Sequence, residues 1–572
     1  MRPADLPSPN FPYVRLFLIC FCVIPAILLG QTTLHLPATH LGIDTLRKFA
    51  LAQLSELPAG DEIDSLSGAV ADFAFIGGAV TPAYDTLYTL RSERGDTFTL
   101  AFTPLPLIQI RASGPLNPDT KVPAGLSYAY GERTLTSPIG IEYRGAFSLQ
   151  YPKKNLDLEF RDPADPDESA DATFLGMRED DDWILDALYN EPGRYNSYVA
   201  HKVWLDLHTL PHAEQEPEAK AGADVAFVEV FQDGEYYGVY TLGEQVDRKQ
   251  LKLKDVKDGV IRGELYKSEQ YSNATRFVGV PGDAPVDDDW AGWEMKHPDV
   301  EEGDWDRLRD LIRFVAESSD ETFARDAAAK FDLGNTIDFL LFINGLLLID
   351  NVSKNLYLGR YTQDDPYFFV PWDLDAGLGN SYDGSRNPHS SGWMSNPLFQ
   401  RLRDRLPDAF AAALCDRYGE LSKGILHPDS LIARVSETHT LLHESGAYGR
   451  EADRWPGSVD STAEQLSFTT RIIRERLNYL DQVACDLPSG TTEAGAVRQS
   501  LEVYPVPARQ TLYWKTPGNE LSVAYRLFDL SGRLVRQGTA GGPIAELSLA
   551  DLRPGVYHLR SGARSARVVV VR

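Results

Sequence analysis

Between residues 349 and 375 the chain reads Ile349-Asp350-Asn351-Val352-Ser353-Lys354-Asn355-Leu356-Tyr357-Leu358. A polar turn follows at Gln363-Asp364-Asp365-Pro366, then Phe368-Phe369-Val370-Pro371-Trp372-Asp373-Leu374-Asp375. A carboxylate closing an apolar helix, an amide five positions on and two more carboxylates across a hairpin form a donor set suited to phosphoryl transfer. In that chemistry one carboxylate, here Asp350, orients the attacking hydroxyl and accepts its proton. Asn355, Asp373 and Asp375 supply oxygens for the magnesium ion that bridges the phosphates. Hairpin strands bring their outer ends together, so these residues can face one spot despite their separation in sequence. Two carboxylates beside buried aromatic rings are costly unless a cation compensates them. The structural alternative has Asp350 as a cap, Asn355 in a turn and Asp373 with Asp375 on a solvated loop.

Such a site also needs a cation on the nucleotide phosphates. In Tyr151-Pro152-Lys153-Lys154-Asn155-Leu156-Asp157-Leu158-Glu159-Phe160 the apolar residues Leu156, Leu158 and Phe160 alternate as on a half-buried strand. Extending that period places Lys154 on the same face, towards the core or a cleft, and Lys153 on the other. Lys154 is therefore the predicted catalytic phosphate contact, the alternative being an ordinary surface lysine. Glu191, Arg194 and Asn196 are the candidates to orient it. Glu244, after the run Tyr236 to Leu242, falls where a linker between lobes would meet adenine through its backbone. The D-x-x-x-x-N spacing followed by strand, turn, strand and Asp is that of a protein-kinase catalytic loop and metal loop. No G-x-G-x-x-G precedes Lys154, which excludes an ordinary eukaryotic-type kinase and leaves an atypical one.

Elements must carry these residues. Val225 to Val230 and Tyr236 to Leu242 flank Asp233-Gly234, the hairpin signal that supplies positive φ. Helical spacing runs over Asn196 to His208, Trp305 to Phe331, Leu333 to Ile349, Pro397 to Leu421, Ser430 to His443 and Ser467 to Leu487. Strands first and helices after predict a two-lobed α+β fold. Pro488-Ser489-Gly490-Thr491-Thr492 reads as a breaker, and short strands beyond it predict a β-sandwich.

With 572 residues the chain needs several cores. The expected division is a leader over 1–30, a β-rich appendage over 31–103, the catalytic unit over 104–487, a linker over 488–499 and an all-β unit over 500–572. Eighty-three Asp+Glu against 56 Lys+Arg give a net charge of −27, which disfavours nucleic acid as a partner. The last 73 residues depart from this, with ten Lys/Arg against five Asp/Glu. Arg2 and Arg15, the apolar run Leu16 to Leu29 and Gly30 before Gln31 read as a secretory signal peptide, an uncleaved anchor helix being the alternative. No other stretch reaches spanning length, so the mature chain is expected to lack a transmembrane anchor. Cys20 and Cys22 lie in the leader. Cys415 and Cys485 permit one disulfide without demanding it.

Several motifs in series carry a resemblance. Ile141-Glu142-Tyr143-Arg144-Gly145 through Pro152-Lys153-Lys154, the hairpin Glu229 to Tyr240 ending near Glu244, Leu265-Tyr266-Lys267, the loop Asp350 to Asn355 and Pro371-Trp372-Asp373-Leu374-Asp375 together resemble the spore-coat CotH kinase family. That resemblance implies an atypical protein-kinase fold using ATP with Mg²⁺ (Mn²⁺ as the alternative) to phosphorylate Ser or Thr of a protein substrate. It implies Asp350 as the catalytic Asp, Asp373 as the metal-binding Asp, Asn355 as the second metal ligand and Lys154 as the phosphate contact; Asp375 is further expected at the metal, and Arg144 and Glu244 at the nucleotide. One departure stands out: where relatives tend to show Arg-Gly-x-Ser-Ser, this chain has Arg144-Gly145-Ala146-Phe147-Ser148. Val503-Tyr504-Pro505-Val506-Pro507-Ala508, Ser531-Gly532-Arg533, Leu552-Arg553-Pro554-Gly555-Val556-Tyr557 and the terminal Val568 to Arg572 resemble the C-terminal sorting domain of the Bacteroidetes type IX secretion system. This implies the secretion machinery as a partner and a secreted or surface location reached through the periplasm. The competing reading is a cell-surface binding or adhesive protein on an inactive kinase-like scaffold.

Overall fold

The computed structural model of the chain describes residues 32–58, 60–68, 71–301, 303–485 and, within 501–571, the strands and some of the residues joining them. The leader and the linker expected from the sequence lie outside the described residues.

Near the N-terminus seven strands form a mixed sheet in the order Thr33–Leu36, Ser65–Gly68, Asp72–Phe75, Leu87–Ser92, Thr97–Thr103, Phe49–Gln53, Leu41–Asp44. A closed barrel follows, ordered Arg133–Arg144, Asn155–Phe160, Asp182–Asp186, Glu235–Glu244, Val225–Gln232, Leu107–Ala112, Val122–Tyr130. Its interior is filled by alternate residues such as Ile110, Ile141, Leu158, Trp183, Val230 and Leu242, the period-two pattern of a half-buried strand. The central hairpin turns at Asp233 (φ 53°) and Gly234 (φ 84°), the left-handed pair that a tight two-residue turn requires.

A five-stranded sheet then runs Asp289–Trp290, Trp293–His297, Glu264–Ser268, Leu356–Arg360, Phe368–Pro371. It packs with the helices in the largest apolar core. The helix Leu333–Leu346 is buried along most of its length, as its continuous apolar run requires. It stops earlier than the sequence pattern predicts. Leu347 takes the left-handed conformation at φ 59° and ends it, so Asp350 opens a separate 3₁₀ turn, Asp350–Val352. The single helix expected over Trp305 to Phe331 is two, Asp306–Glu317 and Asp320–Lys330. Ser319 caps the second, accepting from the Thr322 amide at 3.2 Å, which is how a serine ahead of an acidic first turn starts a helix. Beyond residue 501 the strands form a three-stranded and a four-stranded sheet that share a core including Leu512, Trp514, Leu527 and Leu559. The molecule is therefore mixed α/β with an all-β C-terminal region. No helix among the described residues is long and apolar enough to cross a membrane.

Cys415, in the helix Ala412–Leu421, is disulfide-bonded to Cys485 just past the helix Ala463–Val483. The bond closes a loop with a sequence separation of 70, and restricting the unfolded chain over that length stabilises by about 4 kcal/mol in the chain-entropy treatment. Replacing both cysteines by serine is expected to lower the denaturant midpoint accordingly. Equal urea midpoints for the two proteins would show that the bond is dispensable.

Candidate functional site: a carboxylate-lined cavity

A cavity of about 710 Å³ opens between the barrel on one side and the five-stranded sheet with its helices on the other, within the size range of small-molecule sites. The barrel contributes the ends of its strands, Arg144, Asp186 and Glu244 among them. The opposite side contributes Asp350, Lys354, Asn355, Asp373 and Asp375.

Side chains hold the loop after the buried helix: Asn396 Nδ2 donates to Val352 O at 2.8 Å and Ser268 Oγ to Ser353 O at 2.9 Å. Asn351 is buried, and its Nδ2 donates to the carbonyls of Asn355 (2.6 Å) and Trp372 (2.8 Å). The Trp372 amide also donates to Asn355 O at 3.0 Å, and the Asn355 amide to Ser268 O at 2.8 Å. These bonds tie the two ends of the hairpin Leu356–Arg360/Phe368–Pro371 together. Asn355 (φ 55°) and Asp373 (φ 54°) both adopt left-handed backbone, a conformation that non-glycine residues keep only where surrounding contacts enforce it. The turn at each end points a polar side chain into the cavity in place of continuing the strand.

The carboxylates repel one another. Burial raises the Asp373 carboxyl above its ordinary range, and the charge on Asp186 adds to this while Lys354 opposes it. Asp375 is pushed well above the usual range by burial and then by Asp373, with the Asn190 amide working the other way. Burial raises Asp186 as well, although its carboxylate accepts the Leu188 amide at 3.1 Å. Neighbouring acids with raised affinity for protons are groups that a cation would relieve. Two carboxylates and an Asn oxygen form a hard, all-oxygen set that suits Mg²⁺. No three carboxylates of this cavity have ligand atoms within 4.8 Å of one another; among the described residues that applies only to Asp171, Asp180 and Asp181. Arg178 and Lys249 already compensate Asp180 there. In the cavity an ion would rest on Asp373, Asp375 and Asn355, with further oxygens coming from phosphate.

Of the residues singled out from sequence, Asp350, Asn355, Asp373, Asp375, Arg144 and Glu244 line this one cavity, and Lys154 does not. The strand begins at Asn155, and Tyr151 to Lys153 are bends, so the alternation that placed Lys154 on the inner face ends before reaching it. Lys154 is half-buried and its Nζ donates to Leu149 O at 2.5 Å. Its neighbour takes the buried position: Lys153 Nζ meets Glu451 Oε1 at 2.7 Å and lies 4.4 Å from the centre of the Tyr240 ring. Glu451 is therefore the acid partner of Lys153, and among the described residues none of Glu191, Arg194 and Asn196 is bonded to Lys154. Glu191 instead accepts from the Asn196 amide (2.7 Å) and the Ser197 amide (3.1 Å) at the start of the helix Asn196–Leu207, and burial pushes its carboxyl up to about 8. Arg194 joins Glu451 at 3.2 Å, and Asn196 Nδ2 donates to Gly377 O at 2.8 Å.

Glu244 is likewise committed. Its carboxylate accepts from Arg178 N, Lys220 Nζ, Asp224 N and Gln250 Nε2, and its amide donates to Asp224 O. A free linker amide for a nucleobase is not found at this residue. The cations that do face the cavity are Arg144, stacked over Trp372 at 5.7 Å, together with Lys267 and Lys354. Lys267 is paired with Glu269 at 2.5 Å and Glu294 at 3.4 Å. Arg144 and Lys354 have no carboxylate at ion-pair distance among the described residues. Sequence reading missed Lys354 although it sits inside the central motif, and it missed Asp186, whose one signal was a lone acid closing the apolar run Trp183-Ile184-Leu185.

The sequence pattern of the CotH kinase protein family matches residues 141–480. That of the secretion system C-terminal sorting domain matches residues 502–571. No curated protein matches the chain. Among solved structures, a single mutant thermostable endoglucanase from Alicyclobacillus acidocaldarius is 27% identical over 11% of this chain, with a TM-score of 0.10, so the chain spans 12% of that protein's length. A biofilm associated protein, BSP domain, is 9% identical over 81% of each chain, with a TM-score of 0.13.

Proposed function

The chain belongs to the CotH kinase protein family, and from that premise we propose that it is an exported atypical protein kinase that transfers the γ-phosphoryl group of ATP to a Ser or Thr of a surface or periplasmic protein. Its C-terminal sorting domain implies export and a cell-surface or secreted location by the type IX route. The barrel and the helical part play the two lobes, with nucleotide in the cavity between them. One observation carries the reading: Asp350, Asn355, Asp373 and Asp375 share that cavity with Arg144 and Lys354, two cations with no carboxylate at ion-pair distance among the described residues.

In this reading Arg144 and Lys354 hold phosphate oxygens, the part that the sequence pattern had given to Lys154. Asp373, Asp375 and Asn355 would hold Mg²⁺, which when bound neutralises charge on the β- and γ-phosphates. Asp350 orients the acceptor hydroxyl and takes its proton. Trp372, beneath Arg144, fixes the guanidinium plane by a cation–π contact.

A thermal shift tests it. With ATP and Mg²⁺ at a hundred times the dissociation constant, the wild-type protein is expected to gain about 2.7 kcal/mol, and Asp373→Ala to lose that gain. A wild-type protein indifferent to ATP with Mg²⁺ would sink the kinase reading.

A further inference from the structure

Asp350 already has a hydroxyl on it. Tyr271 Oη donates to Asp350 Oδ1 at 3.0 Å and lies 3.3 Å from Asp350 O. A hydrogen bond of that length to the base is the geometry required of an acceptor hydroxyl before its proton is removed. Tyr271 is not itself among the lining residues but follows Gln270, which is, and it bonds Asp350, which is too; 38% of its surface is exposed. A tight turn fixes it: the Ser272 amide donates to Thr275 Oγ1 at 2.9 Å, and that buried hydroxyl donates to Gln270 O at 2.9 Å. From the other side the Arg276 guanidinium lies 5.1 Å from the ring centre. Among the described residues no carboxylate pairs with Arg276.

We infer that Tyr271 is an autophosphorylation site, its phenolic hydroxyl resting in the acceptor seat of Asp350 and Arg276 waiting for the phosphate. The inference rests on the kinase reading above and goes beyond it by naming an acceptor within the chain. In the step, Tyr271 Oη forms a bond to the γ-phosphorus of ATP and the bond from that phosphorus to the β,γ-bridging oxygen breaks. ADP leaves with the electron pair, and the phenolic proton passes to Asp350 Oδ1. Burial and the Asp350 charge push the Tyr271 phenol above its ordinary range, so it keeps its proton until a base removes it.

The product does not stay where it forms. A phosphate carrying nearly two negative charges beside Asp350 is repelled, while the unspent guanidinium of Arg276 can bind it with charge-assisted hydrogen bonds. Tyr271 then leaves the seat, and an acceptor hydroxyl from another protein can enter. Modification of Tyr271 and admission of an outside substrate become one event.

The test uses the full chain with ATP and Mg²⁺, mapping phosphate by mass spectrometry in wild type, Asp350→Asn and Tyr271→Phe, with the thermal shift measured in parallel. Phosphate is expected on Tyr271 in the wild type, at a rate per molecule unchanged by dilution, and slower by roughly 10²–10⁴-fold without the base. Tyr271→Phe is expected to carry none at that position while keeping the nucleotide-dependent shift. An unmodified Tyr271 in a protein that does shift with ATP and Mg²⁺ overturns the inference and leaves the kinase reading standing. Equal labelling of Asp350→Asn, or a rate that falls on dilution, also overturns it. No shift in any of the proteins removes the kinase reading and this inference together.

Discussion

Replacing Asp350 by Asn is expected to slow phosphoryl transfer by roughly 10²–10⁴-fold, the worth of a positioned general base, while nucleotide binding survives. The substitution keeps the shape of the side chain and leaves the loop in place, because that loop is held by Asn351 and by backbone bonds, not by the Asp350 carboxylate. It also keeps an oxygen to accept the Tyr271 hydroxyl. What it removes is the capacity to take a proton. Single-turnover consumption of ATP, set beside the thermal shift, separates the two effects: the rate should fall and the shift should persist. A variant that transfers phosphate as fast as wild type would show that Asp350 is not the base. One that loses the shift as well would make it a binding residue.

The second large effect is on stability. Lys153 and Glu451 are both buried, and Arg194 shares the Glu451 carboxylate. The other Glu451 oxygen accepts the Val239 amide at 2.8 Å, and Gly238, at φ 102°, has no room for a Cβ against that oxygen. The group joins the barrel hairpin Val225–Gln232/Glu235–Glu244 to the helix Ala447–Arg454. Burial lowers the Lys153 ammonium to about 8, against the pull of Glu451. Removing Lys153 leaves the buried Glu451 carboxylate with Arg194 as its one cationic partner among the described residues. Lys153→Met is accordingly expected to cost about 3–5 kcal/mol, read as a fall in the urea midpoint. Lys154→Met, which removes a half-buried lysine with no carboxylate partner among the described residues, should cost far less. Similar losses from the two variants would contradict this assignment.

Much of the cavity's acidic loop was legible because its signal is local. The D-x-x-x-x-N spacing, the hairpin and the acidic pair all lie within 26 residues, Asp350 to Asp375, directly after the apolar helix, and their convergence follows from strand pairing such as Leu356 with Pro371. The central hairpin was equally plain, since Asp233-Gly234 admits few other conformations. Lys154 was assigned to the inner face wrongly, for a physical reason. Alternation holds only inside a strand, and the bends at Tyr151 to Lys153 reset it one residue before Lys154. The Lys153 partner was out of reach of any pattern, because Glu451 lies 298 positions away and only tertiary packing brings it near. Asp186 was overlooked because its one local signal, an acid closing the apolar run Trp183-Ile184-Leu185, outlines no ligand and follows the acidic cluster Glu179 to Asp182. The helix boundaries at Leu347 and Ser319 depended on a left-handed residue and a cap, which weigh less in the sequence than the apolar period running past them.

The distance along the chain between Lys153 and Glu451 also orders events in time. A polypeptide that emerges from its N-terminus has made every strand of the barrel long before the acid that neutralises the barrel's buried ammonium exists. Until then this lysine favours water over the interior, and contacts between remote segments form late. The barrel therefore reaches its final packing only after the helix Ala447–Arg454 has been made.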